Sequence, residues 1–241
     1  MTSGNLPPAA LLAGGLGTRI RAVAGDTPKV LLPVEGRPFL AHILDRLHAQ
    51  GVPEVVLCLG HAADRVWDAA RAAAPEGLRL TASREPEARG TGGAVKLALP
   101  LLGSPFFILN GDTLLDAPLA PLMKLHLRRE AAITLSLVRS EHAAEKGSVR
   151  VDPQGRVLEF SEKVADGTGL VNAGVYAAGP EAFARCPAEG ACSLEREVLP
   201  GLIAAGSPVA ARIVEAPFID IGLPEDYMRV RRRLRGFGGG R

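Results

Sequence analysis

The sequence predicts an α/β protein built on a mainly parallel central sheet. Two observations carry that prediction: apolar strand-like runs alternate with amphipathic helical stretches through the first half, and the first run ends in a glycine-rich turn. A chain of 241 residues, 47% hydrophobic and 22% charged, has the mass and composition for one large core.

The elements follow in order. Ala9-Ala10-Leu11-Leu12 reads as a buried first strand. Residues 38–50 place Leu40, Ile43, Leu44 and Leu47 on one helical face, with Pro38 at the start and Gly51 at the stop. Strands are predicted over 54–59, 78–82 and 105–109, alternating with helices over 62–74 and 92–102. Beyond Asp112 the pattern predicts a helix near 119–129 and a strand near 132–138. A hairpin of 148–152 and 156–163 turns at Pro153-Gln154-Gly155, and another strand covers 171–177. Ser193 is placed to cap a helix reaching residue 205, and Pro224 opens a last helix through 235. No repeat, long linker or domain boundary interrupts this order. One domain over 1–241 is expected, with a first half to about residue 113, a second half to about 230 and a flexible tail over 231–241.

A net charge of +2 gives no argument for nucleic acid, and much of the basic excess lies at Arg229 and beyond. Cys58, Cys186 and Cys192 form no Cys-x-x-Cys pair and are odd in number, which predicts free thiols in a reducing compartment, with the cytoplasm as default. Residues 1–8 lack the pattern of an export signal, and no apolar stretch approaches membrane-spanning length.

Chemistry concentrates first at residues 12–33. Gly14, Gly15 and Gly17 let backbone N–H groups approach an anion with no Cβ in the way, and a helix starting there would add its positive end. Arg19 and Lys29 supply fixed charge, so the segment suits a triphosphate. The dinucleotide fingerprint fails because Ile20 stands where a third glycine belongs, and Gly17-Thr18-Arg19 is not the Gly-Lys-Ser/Thr of a P-loop. A strand-to-helix turn that needs glycine for geometry alone is the competing reading, and the two cations weigh against it.

Carboxylates form the second concentration. Asp112 follows the apolar run Phe106-Phe107-Ile108-Leu109, and Asp220 lies between Ile219 and Ile221 before Gly222. Two carboxylates plus phosphate oxygens make the oxygen-rich shell that Mg²⁺ prefers, although either aspartate alone also suits a turn cap or salt bridge. Glu162-Lys163 and Asn172-Ala173-Gly174 offer a point charge for a monophosphate and polar groups for sugar hydroxyls, with a solvated surface pair as the plainer reading of the former.

Taken together, these residues resemble the sugar-1-phosphate nucleotidyltransferases. The resemblance runs nearly end to end through LAGGLGTR at 12–19, PKVLLPVEGRPFL at 28–40, GTGGA at 90–94, NGDT at 110–113, EK at 162–163, NAG at 172–174 and FIDIG at 218–222. Residues 90–94, Ser193-Leu194-Glu195 and 218–227 look most like the D-glycero-α-D-manno-heptose 1-phosphate guanylyltransferases. Mannose-1-phosphate guanylyltransferases and muramate-1-phosphate uridylyltransferases share most of the landmarks.

The resemblance implies a three-layer αβα, Rossmann-like sandwich of the nucleotide-diphospho-sugar transferase type. Its first half would hold a nucleoside triphosphate and its second a sugar 1-phosphate, for cell-surface glycan (lipopolysaccharide-type) synthesis. It implies that Leu12, Ala13, Gly14, Gly15, Gly17, Thr18 and Arg19 cradle the triphosphate and that Lys29 neutralises the reacting phosphates. Asp112 and Asp220 would hold Mg²⁺, and Lys163 would take the sugar phosphate. Asn110, Gly147, Glu162, Asn172 and Gly174 would line the sugar, with Gly90 and Thr91 on the nucleotide side. Charge and hydropathy together predict no nucleic-acid or membrane partner, and a homo-oligomer stays open. Glu85 bears on the base: a carboxylate accepts from guanine N1 and N2 but cannot donate to a pyrimidine carbonyl, so it favours GTP, although nearby Glu87 competes for the role. The chain departs from relatives at Glu87-Ala88-Arg89, at Val164 and at Lys146.

Overall fold

Short apolar runs buried on both faces need helices above and below, and this chain supplies them in alternation. The computed structural model describes residues 6–15, 17–141, 148–161 and 168–231. β1 (Ala9–Leu12) leads through the glycine loop to a 3-10 turn (Thr18–Ile20) and the one-turn helix α1 (Arg21–Ala24). A second 3-10 turn (Lys29–Leu31), a small ribbon of β2 (Pro33–Val34) and β3 (Arg37–Pro38), and α2 (Phe39–Ala49) follow. The alternation continues with β4 (Glu54–Leu59), α3 (Ala63–Ala73), β5 (Arg79–Arg84), α4 (Gly90–Ala98) and β6 (Phe106–Asn110).

The second half contains β7 (Thr113–Leu115), α5 (Ala120–Arg129), β8 (Ile133–Ser140), the hairpin of β9 (Ser148–Val151) and β10 (Val157–Ser161), and β11 (Gly169–Ala178). A π-helical turn (Leu194–Val198) runs into α6 (Leu199–Ala204), and β12 (Val209–Ile213), β13 (Phe218–Asp220) and α7 (Pro224–Val230) complete the order. Ser193 caps as expected, its Oγ accepting from the Arg196 N–H at 3.2 Å.

Seven strands form the main sheet in the order β12-β8-β11-β6-β1-β4-β5. β1 pairs in parallel with β4 and β6, β4 with β5, and β12 with β8, while β11 runs antiparallel to both its neighbours. The chain steps outward from β1 to β4 and β5, then returns to add β6 on the other side. That reversal opens a crevice at the carboxyl ends of β1 and β6, where Leu12 pairs with Asn110.

The period-2 alternation of β6 divides the core. Phe107 and Leu109 join the layer with Leu44, Leu47 and Leu57, while Phe106 and Ile108 join the layer with Tyr176, Leu194 and Leu199. Phe106 and Phe107 are fully buried, each stabilising the fold by about 1.5–3 kcal/mol through the transfer of its side chain from water.

The structure adds three features that the pattern does not predict. β12 is absent from the expected elements, since the alanines of Val209-Ala210-Ala211 carry little strand preference; its pairing with β8 supplies what propensity lacks. β7 and β13 form a separate ribbon in which Asp220 is opposite Thr113. The expectation of three free thiols is corrected: Cys186 and Cys192 form a disulfide, and among the described residues Cys58 is the free, buried cysteine. Their separation of six residues matches no short cysteine motif, but a turn through Gly190 (φ 86°) accompanies a Cα separation of 5.9 Å.

Candidate functional site

The glycine loop crosses from the end of β1 to the end of β4. Ala13 N–H donates to the Cys58 carbonyl at 3.0 Å, and His61 N–H donates to the Gly14 carbonyl at 3.2 Å. A Cβ on Gly14 would lie 2.6 Å from Gly60 N and 2.9 Å from Glu85 Oε1, so glycine is needed there for two loops to touch. Gly15 is different, because a Cβ would meet nothing within 4 Å. Gly17 takes the left-handed conformation (φ 58°) and turns the chain towards exposed Thr18 and Arg19. The helix expected to add its positive end is a 3-10 turn followed by a four-residue helix, too short to hold a sizeable dipole. The positive groups this loop can offer an anion are therefore its backbone N–H groups and the two cations. Leu16 lies outside the described residues.

Lys29 and the two aspartates, distant in sequence, converge beside this loop. Lys29 Nζ donates to Asp112 Oδ2 at 2.5 Å. Gly111 permits the approach, since a Cβ there would lie 2.4 Å from the Leu12 carbonyl oxygen and 2.7 Å from Val30 Cγ1. The β7–β13 ribbon carries Asp220 to the same place: Ile221 N–H donates to the Asp112 carbonyl at 2.9 Å, and Gly222 N–H donates to Asp220 Oδ1 at 2.7 Å. A Cβ on Gly222 would lie 3.5 Å from Lys29 Nζ. No cluster of three or more His, Cys, Asp or Glu side chains that could hold a metal occurs among the described residues. Mg²⁺ does not need one, because it takes one or two carboxylates and completes its shell with substrate oxygens and water. The hard-oxygen pair Asp112 and Asp220 fits that ion.

Glu85 follows β5 at the edge of the crevice, its N–H donating to the Leu59 carbonyl at 2.8 Å. Its Oε2 accepts from Arg89 N–H at 2.8 Å. Burial raises its pKa above the usual carboxylate value, against the lowering effects of that bond and the Arg89 charge. Burial first, and the nearby Glu85 charge second, push the Cys58 thiol up to about 12.

Gly90 and Thr91 open α4 against the 192–195 segment. Gly90 has φ 68°, and a Cβ would lie 2.7 Å from the Cys192 carbonyl oxygen, which accepts from Gly92 and Gly93 N–H at 2.8 and 3.0 Å. Thr91 Oγ1 donates to Glu195 Oε2 and accepts from Leu194 N–H, both at 2.8 Å. The threonine expected on the nucleotide side thus spends its hydroxyl inside the protein.

The opposite wall of the crevice is a bulge in β11. Asn172 pairs with Leu137 and Tyr176 with Leu135, so β11 carries two more residues than β8 between these pairs. Gly174 occupies the bulge with φ 69°, and a Cβ there would lie 2.4 Å from Thr113 Oγ1 and 3.0 Å from Asn110 Nδ2. Asn110 Oδ1 and Thr113 Oγ1 are buried and have no hydrogen-bond partner among the described residues. The amide oxygen needs a donor and the threonine hydroxyl a partner of either kind, which a water or a ligand hydroxyl supplies. Asn172 Nδ2 donates to Tyr176 Oη at 2.5 Å, and Asn172 Oδ1 accepts from Gly174 N–H at 3.1 Å. Gly147, Glu162 and Lys163 lie outside the described residues. Sequence reasoning assigned no role to Thr113, Tyr176 or Glu195. Ser193-Leu194-Glu195 was visible as a landmark, but nothing in it marks Glu195 as a partner of Thr91.

A family model described as nucleotidyl transferase matches residues 9–235. The chain is 35% identical over 221 residues to the D-glycero-alpha-D-manno-heptose 1-phosphate guanylyltransferase of Campylobacter jejuni, covering 91% of this chain and 96% of that relative. It is 36% identical over 225 residues to the mannose-1-phosphate guanylyltransferase of Mycobacterium tuberculosis, covering 92% of this chain and 62% of that relative, so it spans less than two thirds of the longer protein. The crystal structure of HddC from Yersinia pseudotuberculosis complexed with GMP-PN matches with a TM-score of 0.84 at 32% identity, over 94% of this chain and 98% of that one.

Proposed function

The chain belongs to the nucleotidyl transferase family, and we propose that it transfers a nucleotidyl group from GTP to a sugar 1-phosphate, with D-glycero-α-D-manno-heptose 1-phosphate the favoured acceptor. The products are a GDP-sugar and pyrophosphate. The observation that carries this reading is the convergence of Lys29, Asp112 and Asp220 beside a loop in which a Cβ on Gly15 would meet nothing within 4 Å among the described residues. A glycine without an internal reason suits the close approach of a phosphate.

The chemistry asks little of the protein beyond charge and position. An oxygen of the sugar 1-phosphate, anionic at neutral pH, attacks the α-phosphorus in line, and pyrophosphate leaves with the bonding electrons. No general base and no covalent enzyme intermediate are needed. The obstacle is repulsion between two anions, which Arg19, Lys29 and Lys163 offset while the loop N–H groups hold the triphosphate in line. Asp112 and Asp220 would hold Mg²⁺, which supplies positive charge at phosphate oxygens when bound. Asn110, Gly147, Glu162, Asn172 and Gly174 would face the sugar. Leu12, Ala13, Gly14, Gly17, Thr18, Gly90 and Thr91 would border the nucleotide, Thr91 through its backbone.

Glu85 supports guanine. A carboxylate has lone pairs for the Arg89 N–H and for the N1 and N2 donors of guanine together. The free-thiol argument for the cytoplasm no longer stands unaided, but cytosolic supply of GTP fits that compartment. No helix among the described residues is long and apolar enough to cross a membrane.

The test is a matrix of four nucleoside triphosphates against heptose, mannose, glucose and muramate 1-phosphates, read by pyrophosphate release. GTP with the heptose substrate is expected to give the highest kcat/KM. Preference for UTP would overturn the role of Glu85, and preference for mannose 1-phosphate would replace the acceptor. Nucleotide binding with no pyrophosphate release from any pair would point to a non-catalytic nucleotide-sugar-binding module.

A further inference from the structure

A chain of hydrogen bonds joins the two halves of the crevice, and none of its central members was expected to act. Thr91 Oγ1, in the first turn of α4, donates to Glu195 Oε2 at 2.8 Å. Ser193 Oγ donates to the same oxygen at 3.4 Å. Tyr176 Oη donates to Glu195 Oε1 at 3.3 Å and accepts from Asn172 Nδ2 at 2.5 Å. Asn172 Oδ1 then accepts from Gly174 N–H at 3.1 Å.

The direction of each bond follows from the first. A carboxylate can only accept, so Tyr176 must donate to Glu195. Once its single proton is committed, the tyrosine oxygen can only accept from Asn172, and this selects the Nδ2 side of the amide, the orientation that the Gly174 N–H also requires. The remaining amide oxygen meets Gly174 N–H at the bulge. Burial, with the charges of Glu195 and Asp112 adding to it, raises the Tyr176 pKa well above the usual phenol value, so the hydroxyl keeps its proton. Tyr176 has no exposure to water that could supply a substitute partner.

We propose that Glu195 is a positioning residue for the acceptor: through Tyr176 it sets which end of the Asn172 amide faces the sugar. This rests on the reading of Asn172 as a sugar contact. Glu195 touches no substrate in this scheme, and its effect is confined to the acceptor side, although its other oxygen anchors Thr91 of the nucleotide half. Glutamine at 195 has nearly the same shape but brings an N–H₂ group. If that group donates to Tyr176, the tyrosine must donate onward, the Asn172 amide reverses, and its N–H₂ then opposes Gly174 N–H.

The experiment uses the full chain and two readouts. Steady-state kinetics are measured for wild type, Glu195→Gln, Tyr176→Phe and the double variant, using GTP and the best sugar 1-phosphate. The expected result is a rise of about tenfold in the acceptor KM for each single variant, the worth of one misdirected hydrogen bond, with the GTP KM within about twofold. The double variant is expected to be no worse than Tyr176→Phe, because Glu195 acts through the tyrosine. Additive effects, or equal rises in both KM values, would overturn the proposal.

The second readout needs no turnover. Nitrogen-15 NMR of the free protein follows the Asn172 side-chain amide, assigned by its disappearance in Asn172→Ala. Its bonded proton is expected to move upfield in both Glu195→Gln and Tyr176→Phe, and an unmoved signal overturns the relay. Wild-type protein that releases no pyrophosphate with any pair would instead defeat the proposed function, leaving the amide signal to decide the relay. Should Glu195→Gln fail to fold, Tyr176→Phe carries the same two measurements, with the same outcomes for or against.

Discussion

Lys29 Nζ lies 2.5 Å from Asp112 Oδ2, the lysine side chain 12% exposed and the aspartate 30%. The pair joins the glycine-loop side of the crevice to the carboxyl end of β6. Ile221 N–H, bonded to the Asp112 carbonyl, ties in the segment that carries Asp220. Its position at the meeting of three distant segments makes it the first target for substitution.

Lys29→Ala and Asp112→Ala are each expected to lower turnover about a hundredfold, or about 3 kcal/mol of transition-state stabilisation, by analogy with loss of one preorganised oxyanion donor. Both variants should remain folded, because solvent reaches part of the pair and screens whichever charge is left alone. Pyrophosphate release, measured beside a thermal melt, checks both points. Near-normal turnover from either folded variant would remove that residue from the machinery.

Gly14 and Gly15 should part company. Gly14→Ala drives a methyl group to within 2.6 Å of Gly60 N and is expected to lower the melting temperature by several degrees. Gly15→Ala meets nothing in the protein and should leave the melt unchanged while raising the GTP KM about tenfold or more. A normal GTP KM in Gly15→Ala would mean that the loop does not approach phosphate at this point.

The pKa of Glu85 is raised above 4.5 by burial, and the sign of its effect follows. Ionising it costs more in the folded chain than in the unfolded one. It therefore weakens the fold at neutral pH, and that penalty fades as pH falls through the raised value towards 4.5. Protonation also removes an acceptor for guanine, so the GTP KM should rise over the same acidic window. Glu85→Gln should flatten that dependence, stabilise the fold slightly at pH 7, and shift the GTP-to-UTP preference by about tenfold or more towards UTP. Unchanged base preference would detach Glu85 from the base.

Thiol counting tests the disulfide. Denatured, unreduced protein should release one thiol to Ellman's reagent, from Cys58, and three after reduction. Reduction is expected to cost about 2 kcal/mol of stability, from the chain entropy of so short a closed loop. Three thiols without reductant would show that the pair forms only on oxidation.

Much of this protein was determined by sequence alone. Alternating runs such as Phe106 to Leu109 and the helical face of Leu40, Ile43, Leu44 and Leu47 specify elements through periodicity, a local property. Glycines and charges at Gly14, Arg19, Lys29 and Asp112 likewise mark a candidate phosphate site before any fold is known. Tertiary structure alone decided what depends on distant segments meeting. It turned Thr91 towards Glu195, closed Cys186 onto Cys192, paired β12 with β8, and brought Asp220 opposite Thr113. Backbone preference and side-chain pattern act over a few residues, whereas hydrogen-bond partners and buried carboxylates are chosen by the packing of the whole sheet. For that reason Lys29 could be proposed from its motif, whereas the bonds of Glu195 could not.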